Sequence, residues 1–480
     1  MRKASGYHFY IKKSLHISAI LMCAHASIYL PTLPLFIIVS LVFILLSWAI
    51  FKGFLSDPIS KEKEWGVLYF VGVFAAMLMI IIIKNQQELR VVAAFSLTIL
   101  AISDGFAGVF GRAVSNSWRN KGNGLINDPV ISFPSNNKSV VGFLVFVFSC
   151  IPIIGYFLKQ FSDYGSTEIF VASCTLSLLL GITEFISKKG SDNLTVTFFA
   201  FLLLHWLTKN QFENAFMYDA NTVFIIGTGS MFVLVGLYKM KFLTFSGSLA
   251  AWLLAFVVVI LVNQSLWPLL IFLLLGSILG KLPVKNIVSD DRFQKPRNAT
   301  QVFANGGIVL LLGILAWGGS VLGFSIFNHS ELQKLMLVSV AVCMADTASS
   351  ELGSRYGGTP LDILTLKSLE AGVSGGVTWI GSAFGLLGSL TIVLIGYTQC
   401  FMNFCELISY VLLGFSGMLL DSFLGAKFQY KELIHGRWQD AQNKNAVSKT
   451  KGLSFVTNNM VNFISNILIV FLLMCFYWLF

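Results

Sequence analysis

Long apolar runs recur along the whole chain and constrain its fold more than any other feature. Many of them reach about 18–20 residues, the length at which an α-helix spans the hydrocarbon core of a bilayer. Of the 480 residues, 56% are hydrophobic and only 12% are charged, so a soluble domain could not cover the apolar surface. The sequence therefore predicts an all-α, polytopic integral membrane protein.

The apolar runs predict about fifteen transmembrane helices. They cover approximately residues 14–31, 33–51, 66–83, 91–110, 139–158, 168–186, 193–208, 221–238, 243–262, 264–281, 301–322, 332–350, 373–396, 404–424 and 458–479.

Basic residues alternate in a way that agrees with this count. Of the 33 Lys and Arg residues, 28 lie in the N-terminal segment or in loops that follow even-numbered spans, and 5 lie on the other side. Because basic loops are retained in the cytoplasm, this split predicts a cytoplasmic N-terminus and an external C-terminus. Basic residues that flank the cytoplasmic ends of helices also account for the net charge of +10. The positive charge therefore does not indicate a nucleic-acid partner, and we expect none.

Polar motifs recur at an offset of eight spans. The matching strings are SDGF and ADTA, then ITEF and LLDS, then SDNL and TNNM, each at the predicted cytoplasmic end of its span. This spacing predicts two parallel seven-helix repeats joined by one helix. We place the first membrane domain at residues 1–215, a linker helix at 216–240 and the second membrane domain at 241–480.

The carboxylates in these motifs are the candidate catalytic and metal-binding groups. Ionisable side chains inside spans face the bundle interior and mark functional sites. Carboxylates bind phosphate only through a cation, and Mg²⁺ takes a few carboxylates together with phosphate oxygens. The candidate catalytic residues are Asp104, Asp346, Glu351 and Asp421, and the candidate metal ligands are Asp104, Glu184, Asp192, Asp346, Asp421 and Asn462.

Glycine-rich, serine-rich and basic stretches accompany the carboxylates. Exposed amides in such turns can hold phosphate oxygens, and a helix N-terminus rich in Gly and Ser favours an anion. Neither a GxxxxGK[ST] loop nor the protein-kinase HRD and DFG motifs occur, so a nucleotide is held in another way. The candidate phosphate-binding residues are Gly108, Gly111, Arg112, Lys138, Ser139, Arg297, Asn305, Ser374, Gly375 and Gly376.

The C-terminal half, about residues 240–470, resembles the membrane family that includes the phytyl-phosphate kinase of tocopherol synthesis. The matching strings, in order, are RNATQVFANGG, ADTASSELG, GVSGGVTWIGSAFG, DSFLGAKFQ and NNMVNF. One departure is Asn459, where the family pattern has Asp, and the change removes one possible metal contact.

The N-terminal half, about residues 10–210, resembles the phytol kinase and dolichol kinase family, which is related to phosphatidate cytidylyltransferase. It contains KKSLH, EWGVLYF, SDGFAGVFGR, KSVVG, Glu184 and DNL. The family pattern has Glu and then Gly-Ser after Lys138-Ser139, but Val141 and Phe143 stand there. The whole chain thus resembles a fusion of the two families.

The two resemblances imply consecutive reactions. The N-terminal half would phosphorylate a prenyl alcohol with CTP as the nucleoside triphosphate donor, and the C-terminal half would add a second phosphate. Mg²⁺ would be held by Asp104 and Asp192 in one half and by Asp346, Glu351 and Asp421 in the other. Arg112 and Lys138 would neutralise phosphate charge, and the bundle would hold the isoprenoid tail.

Two other classes of function remain open on the sequence alone. A secondary transporter also has parallel repeats and polar groups within its spans, but its polar groups lie at the midplane rather than at one face. A cytidylyltransferase that forms a CDP-lipid would use the same types of residue. Release of CDP identifies a kinase, release of pyrophosphate a cytidylyltransferase, and release of neither a transporter.

The orientation is testable by labelling single cysteines introduced at Ser448 and Phe480 into a chain without its seven natural cysteines. Because the two positions flank one predicted span, an impermeant reagent should reach them from opposite sides of the membrane. Labelling of both from the same side would show that a span is miscounted.

Overall fold

The computed structural model describes residues 2–52, 65–120, 138–187, 190–212, 218–264, 266–282, 296–369, 373–397, 399, 402–434, 437–440 and 450–479. The chain divides into two compact units, Met1–Ser230 and Met231–Phe480. The division falls inside the helix that the sequence predicts as a linker. Glu64 of the EWGVLYF string lies outside the described residues.

Unit 1 is built from long helices, because only a helix satisfies every backbone polar group within one segment in lipid. Its helices are α1 (Arg2–Tyr29), α2 (Thr32–Phe51), α3 (Trp65–Lys84), α4 (Glu88–Ile99), α5 (Gly105–Asn120), α6 (Val140–Phe161), α7 (Ser166–Ile186) and α8 (Asp192–Lys209). A π-helical turn, Leu100–Asp104, joins α4 to α5. Helix α9 (Ala220–Lys239) follows and contains the division between the units.

Helix α8 holds unit 1 together. It packs against α3, α4 and α7, and Phe201, Leu203 and Leu207 on it are fully buried. Around it, α1 packs on α4, α2 on α3, α5 on α6 and α6 on α7.

Unit 2 contains α10 (Phe245–Phe256), α11 (Trp267–Lys281), α12 (Ala299–Val321), α13 (His329–Tyr356), α14 (Trp379–Tyr397), α15 (Phe404–Phe428) and α16 (Asn458–Leu479). A π-helical turn, Val257–Leu261, extends α10. Three of these helices begin at an Asn that caps the helix and exchanges hydrogen bonds with the third residue of the first turn: Asn298 with Gln301, Asn328 with Glu331, and Asn403 with Glu406.

Helix α13 is the central element of unit 2. It packs against α11, α12, α14, α15 and α16. Its contact with α14 is close because small residues line it: a Cβ at Gly388 would lie 2.9 Å from the carbonyl oxygen of Met344 and 3.0 Å from the Cβ of Ala348. Small residues at such positions let helix backbones approach each other within a membrane.

Two small antiparallel sheets flank the helices of unit 2. Strands β1 (Leu361–Asp362) and β2 (Gly376–Val377) pair in the segment between α13 and α14. Between α15 and α16, β3 (Lys431–Ile434) pairs with both β4 (Arg437–Asp440) and β5 (Thr450–Lys451).

Five helix pairs of unit 1 have counterparts in unit 2 at the offset of the predicted repeat. The pairs α3–α8, α4–α8, α5–α6, α6–α7 and α7–α8 correspond to α12–α16, α13–α16, α13–α14, α14–α15 and α15–α16. The first two helices of each unit pack differently. In unit 1, α1 packs on α4 and α2 on α3, whereas in unit 2, α10 packs on α12 and α11 on α13. The likeness between the units therefore lies in α3–α8 of unit 1 and α12–α16 of unit 2, with α4 and α5 together corresponding to α13.

The integral membrane, mostly helical fold agrees with the sequence prediction. Within the described residues, eleven helices are long and apolar enough to cross a membrane, and α11 and the segment Phe245–Leu261 are shorter apolar helices. Every one of the fifteen predicted spans coincides with a helix. Two of these helices, α1 and α8, are neither among the eleven long apolar helices nor among the two shorter ones.

Two predicted helix boundaries are wrong. The span predicted at 373–396 begins as a helix only at Trp379, because residues before it form a turn and β2. Asp104 does not lie near a helix end, since the helix continues from the π-helical turn to Asn120.

The α13–α14 contact predicts a large difference between two glycine-to-valine changes. Gly388→Val should lower the free energy of unfolding by about 1–3 kcal/mol or more, because its side chain would press on the backbone of α13. Gly236→Val on α9 is the matched control, since a Cβ there meets nothing within 4 Å. Thermal unfolding in detergent measures both, and equal melting temperatures would contradict the close contact.

Candidate functional site

Three carboxylates meet inside unit 1. Asp104 ends the π-helical turn, Glu184 lies in the last turn of α7, and Asp192 is the first residue of α8. One oxygen from each lies within 4.8 Å of the other two, and Asp104 and Glu184 are buried. The structure therefore brings together three candidate metal ligands from three separate stretches of sequence.

Local backbone features place these carboxylates. The π-helical turn shifts the helical register immediately before Asp104, as such turns do at many functional sites. Gly190, with φ +78°, permits the tight turn between α7 and α8, and a Cβ there would lie 2.7 Å from the Cα of Gly66. Asn193 Nδ2 donates to the Gly66 carbonyl at 2.8 Å and fixes the start of α8 against α3.

Two lysines compensate the buried negative charge of this cluster. Lys13 Nζ lies 2.7 Å from Asp104 Oδ2, and Lys138 Nζ lies 2.7 Å from Glu184 Oε1 and 3.0 Å from Asp192 Oδ2. His16 Nε2 is 3.9 Å from Asp104 Oδ2. Burial lowers the pKa of Lys138, but the two carboxylates outweigh burial and leave the pKa raised, so this lysine stays protonated.

The other candidate phosphate-binding residues of unit 1 have packing or capping contacts. A Cβ at Gly108 would lie 2.8 Å from Cε of Lys13, and one at Gly111 would lie 2.7 Å from Oγ of Ser139. Gly108 thus leaves room for Lys13 to reach Asp104. Ser139 Oγ accepts the amide N–H of Gly142 at 3.0 Å and caps α6.

Arg112 does not belong to the carboxylate cluster. Its guanidinium lies over the ring of Phe9, 4.1 Å from the ring centroid. A guanidinium stacked on an aromatic ring is held by cation–π attraction and packing. Its contact with phosphate stays a prediction.

In unit 2 a polar cavity of about 360 Å³ is lined by three of the predicted carboxylates, Asp346, Glu351 and Asp421. Its wall is formed by Asp346, Ser349, Ser350, Glu351, Gly353, Ser354, Gly358, Pro360, Val373, Ser374, Gly375, Gly376, Thr378, Asp421, Ser422, Gly425, Asp440 and Asn458. Helices α13, α15 and α16 and the segment around β2 supply these residues. The structure thus joins the strings ADTASSELG, GVSGG and DSFLG in one place.

Asp346 and Asp421 lack the lysine partners that the unit 1 cluster has. Ser465 Oγ donates to Asp421 Oδ2 at 3.0 Å. Across the described part of the chain, no Lys, Arg or His nitrogen approaches either carboxylate to ion-pair distance. Both residues are half-buried, and a carboxylate held partly away from water without a countercharge is costly, so this arrangement favours a cation from outside the chain.

Glu351 is held by an arginine one turn along α13. Arg355 Nη1 pairs with Glu351 Oε2, while its Nε and Nη2 donate to the carbonyls of Leu282 and Gly280, each at 3.2 Å. Arg297, before α12, stacks over the ring of Phe272 at 5.5 Å. Burial lowers the pKa of Arg297, and the Glu351 carboxylate opposes that shift.

Asn305 and Asn462 meet between α12 and α16. Asn462 Nδ2 donates to Asn305 Oδ1 at 3.3 Å, and Cys343 Sγ donates to the Asn305 carbonyl at 2.9 Å. Asn462 Oδ1 is buried and has no hydrogen-bond partner among the described residues. An unpaired buried amide oxygen is free to accept a donor or to ligate a cation.

The Ser374–Gly376 turn departs from the predicted helix N-terminus. The amide and hydroxyl of Ser374 donate to the carboxylate of Asp440, with the amide nitrogen 3.3 Å from Oδ1. Lys431 Nζ donates to the Ser374 carbonyl at 2.7 Å. Gly375 has φ +94°, and a Cβ there would lie 2.5 Å from Cβ of Ala426, so the turn packs directly on α15.

Sequence reasoning missed several residues of these sites. Lys13 was visible only as part of the KKSLH string, and its pairing with Asp104 joins positions 91 residues apart. Asp440 and Lys431 lie in a polar segment after α15, and nothing in their spacing indicates that the hairpin folds back onto the Ser374 turn. The only indication in the sequence is that this segment after α15 is polar, with two acidic and several basic residues.

The donor sets fit a hard divalent cation. All three ligands of unit 1 are carboxylate oxygens, and Asp346, Asp421 and the unpaired Asn462 Oδ1 offer oxygens in unit 2. Mg²⁺ prefers such oxygen ligands and keeps positions for phosphate oxygens. The Lys138 ammonium already lies between two of the unit 1 carboxylates, so a cation there would share or displace that charge.

Comparisons with known proteins place the C-terminal half in a described family. The model of the family "Integral membrane protein DUF92" matches residues 228–470. No solved structure is significantly similar to the chain.

Three curated proteins are similar over parts of the chain. The "Uncharacterized membrane protein MJ0933" of Methanocaldococcus jannaschii is 31% identical over 167 residues, which are 35% of this chain and 66% of that protein. "Protein PGR" of Arabidopsis thaliana is 30% identical over 259 residues, 49% of this chain and 89% of that protein. "Protein VTE6, chloroplastic" of the same plant is 30% identical over 179 residues, 35% of this chain and 48% of that protein.

Binding of Mn²⁺ as a spectroscopic substitute for Mg²⁺ tests the unit 1 cluster. Glu184→Gln should weaken Mn²⁺ binding by about tenfold or more, because one of three oxygen ligands loses its charge. Glu88→Gln is the matched control, since Glu88 is exposed and pairs with Lys209. Electron paramagnetic resonance of free Mn²⁺ measures the difference, and equal affinity of both variants would contradict a metal at this cluster.

Proposed function

The chain belongs to the DUF92 family of integral membrane proteins, and we propose that it is a phosphotransferase of prenyl lipids. In this proposal, unit 1 phosphorylates a prenyl alcohol and unit 2 converts the resulting prenyl monophosphate to the diphosphate. CTP is the phosphoryl donor and Mg²⁺ the metal cofactor.

The cavity of unit 2 is the observation that carries the proposal. It joins three half-buried carboxylates, those of Asp346, Glu351 and Asp421, to a wall rich in serine and glycine inside an otherwise apolar helix bundle. Phosphoryl transfer needs little covalent chemistry from a protein and depends on positioning and charge neutralisation. A polar cavity within an apolar bundle also suits a substrate that has an ionic head and a long hydrocarbon tail.

The similarity of the C-terminal half to the phytyl-phosphate kinase family supports the choice of substrate. Its five strings converge on the cavity or adjoin it: ADTASSELG, GVSGG and DSFLG line it, and NNMVNF begins the helix that carries Asn462 and Ser465. RNATQVFANGG supplies Arg297 and Asn305, and Asn305 contacts Asn462.

In unit 2, Asp346, Asp421 and Asn462 would hold Mg²⁺, which would neutralise phosphate oxygens when bound. The hydroxyl of Ser465 fixes the Asp421 carboxylate, and Arg355 fixes the Glu351 carboxylate at the cavity wall. A monophosphate oxygen forms the new bond to the terminal phosphorus of CTP, and the bond to CDP breaks. This acceptor is already ionised and needs no base.

In unit 1 the acceptor is a hydroxyl, which must lose its proton. Asp104 is the candidate base, and Lys13 orients its carboxylate. In unit 2, Glu351 lies five residues after Asp346. In unit 1, the residue five after Asp104 is Val109, which has no carboxylate. The different groups around the two aspartates support different acceptors.

The distribution of basic residues supports a cytoplasmic location for the N-terminus and for both sites, with the C-terminus outside. This orientation suits the two substrates, because CTP is dissolved in the cytoplasm and the prenyl lipid in the membrane.

Product analysis with the purified full chain tests the proposed reaction. A prenyl monophosphate, CTP and Mg²⁺ should yield the prenyl diphosphate and CDP. Asp346→Asn should lower this turnover by about a hundredfold or more, because a metal-bridging charge is worth several kcal/mol. Asp219→Asn is the control, since Asp219 is exposed and Asn caps a helix equally well. Release of pyrophosphate instead of CDP would identify a cytidylyltransferase.

The same assay with a prenyl alcohol separates the two units. Asp104→Asn should stop turnover of the alcohol and leave turnover of added monophosphate intact, whereas Asp346→Asn should let monophosphate accumulate. Unchanged conversion of the alcohol by Asp104→Asn would show that unit 1 is not an alcohol kinase.

A further inference from the structure

A carboxylate of the chain itself occupies an anion-binding turn at the cavity of unit 2. Asp440, at the end of β4, accepts hydrogen bonds from both the amide and the hydroxyl of Ser374. A backbone N–H and a hydroxyl converging on one carboxylate form the contacts with which proteins bind phosphate. The Asp440 carboxylate thus occupies the position in which the oxygens of an external anion could bind.

A buried lysine lies directly behind this turn. Lys431 lies directly opposite Asp440 on the neighbouring strand, and its Nζ is anchored to the carbonyl oxygens of Ser374 and Ala426. The lysine is only 7% exposed. Burial lowers its pKa, while Asp440 and Asp362 oppose the shift, so a further anion beside it would stabilise the charged form.

The turn and the two metal-candidate carboxylates open into the same space. Ser374, Gly375, Asp440, Asp346 and Asp421 all line the one cavity. An anion on Ser374 would therefore lie in the same cavity as a cation held by Asp346 and Asp421. This is the arrangement that a phosphate shared between a turn and a metal requires.

We propose that the Ser374 turn and Lys431 form the seat for a phosphate group of the substrate, and that Asp440 holds this seat until the ligand displaces it. The Asp440 side chain then moves away from the turn when the phosphate binds, while Lys431 on β3 stays in place. The proposal rests on the proposed function. It adds a phosphate subsite at the Ser374 turn, and it identifies Asp440 as a group of the chain itself that competes for this subsite.

Equilibrium binding to the full chain in lipid nanodiscs, without turnover, tests the proposal. The probes are geranylgeranyl monophosphate and, in a separate arm, CTP, which distinguishes a lipid phosphate from a nucleotide phosphate. Asp440→Asn should tighten binding of one probe by about tenfold, because a neutral amide competes less well than a carboxylate for charge-assisted hydrogen bonds. Ser374→Ala should weaken binding of the same probe by a similar factor.

The double variant shows whether the two residues act at one subsite. In the Ser374→Ala background, Asp440→Asn should give a much smaller gain, because the two residues share one set of hydrogen bonds. Asp219→Asn is the matched control and should leave both affinities unchanged. A folded Asp440→Asn variant with unchanged or weaker affinity for both probes would overturn the proposal, as would unchanged affinity of Ser374→Ala.

The outcome is separable from that of the proposed function. A chain that shows the predicted affinities but forms no diphosphate would contradict the proposed reaction alone. A chain that forms diphosphate with normal affinities in all variants would contradict the Asp440 subsite alone.

Discussion

Carboxylates inside apolar helix bundles are the feature on which both candidate sites depend. A carboxylate removed from water is costly unless it is paired, so its presence needs a compensating charge and a reason. Unit 1 provides the charge within the chain, through Lys13 on Asp104 and Lys138 between Glu184 and Asp192. Gly108 and the π-helical turn before Asp104 are the local features that make this pairing possible.

Unit 2 places its carboxylates differently. Asp421 accepts a hydrogen bond from the Ser465 hydroxyl, and within the described residues neither Asp346 nor Asp421 pairs with a lysine or arginine, while the nearby Arg355 pairs with Glu351. The uncompensated charge supports the proposed divalent cation in unit 2, while the convergent carboxylate oxygens support one in unit 1. The Asp440 carboxylate on Ser374 lies on the same cavity, so the proposed cation and the proposed phosphate would have separate places there.

The sequence was sufficient for those features that depend on local composition. Apolar runs predicted the helices, and the recurring acidic motifs predicted which carboxylates meet. It failed where tertiary contacts override local pattern: Gly375 adopts a left-handed turn because α15 lies against it, so α14 begins later than its apolar run. Lys13 and Asp440 were missed for the same reason, since each acts on a residue far away in the chain.

An experimental structure of the full chain with Mn²⁺ and a prenyl monophosphate would test the central claim most directly. The account predicts metal density bounded by Asp346 and Asp421, detectable by its anomalous signal or its map strength, with the phosphate of the lipid beside it in the same cavity. Lipid phosphate bound elsewhere, with the two carboxylates facing only protein or water, would contradict the claim that these two carboxylates hold a metal beside a phosphate.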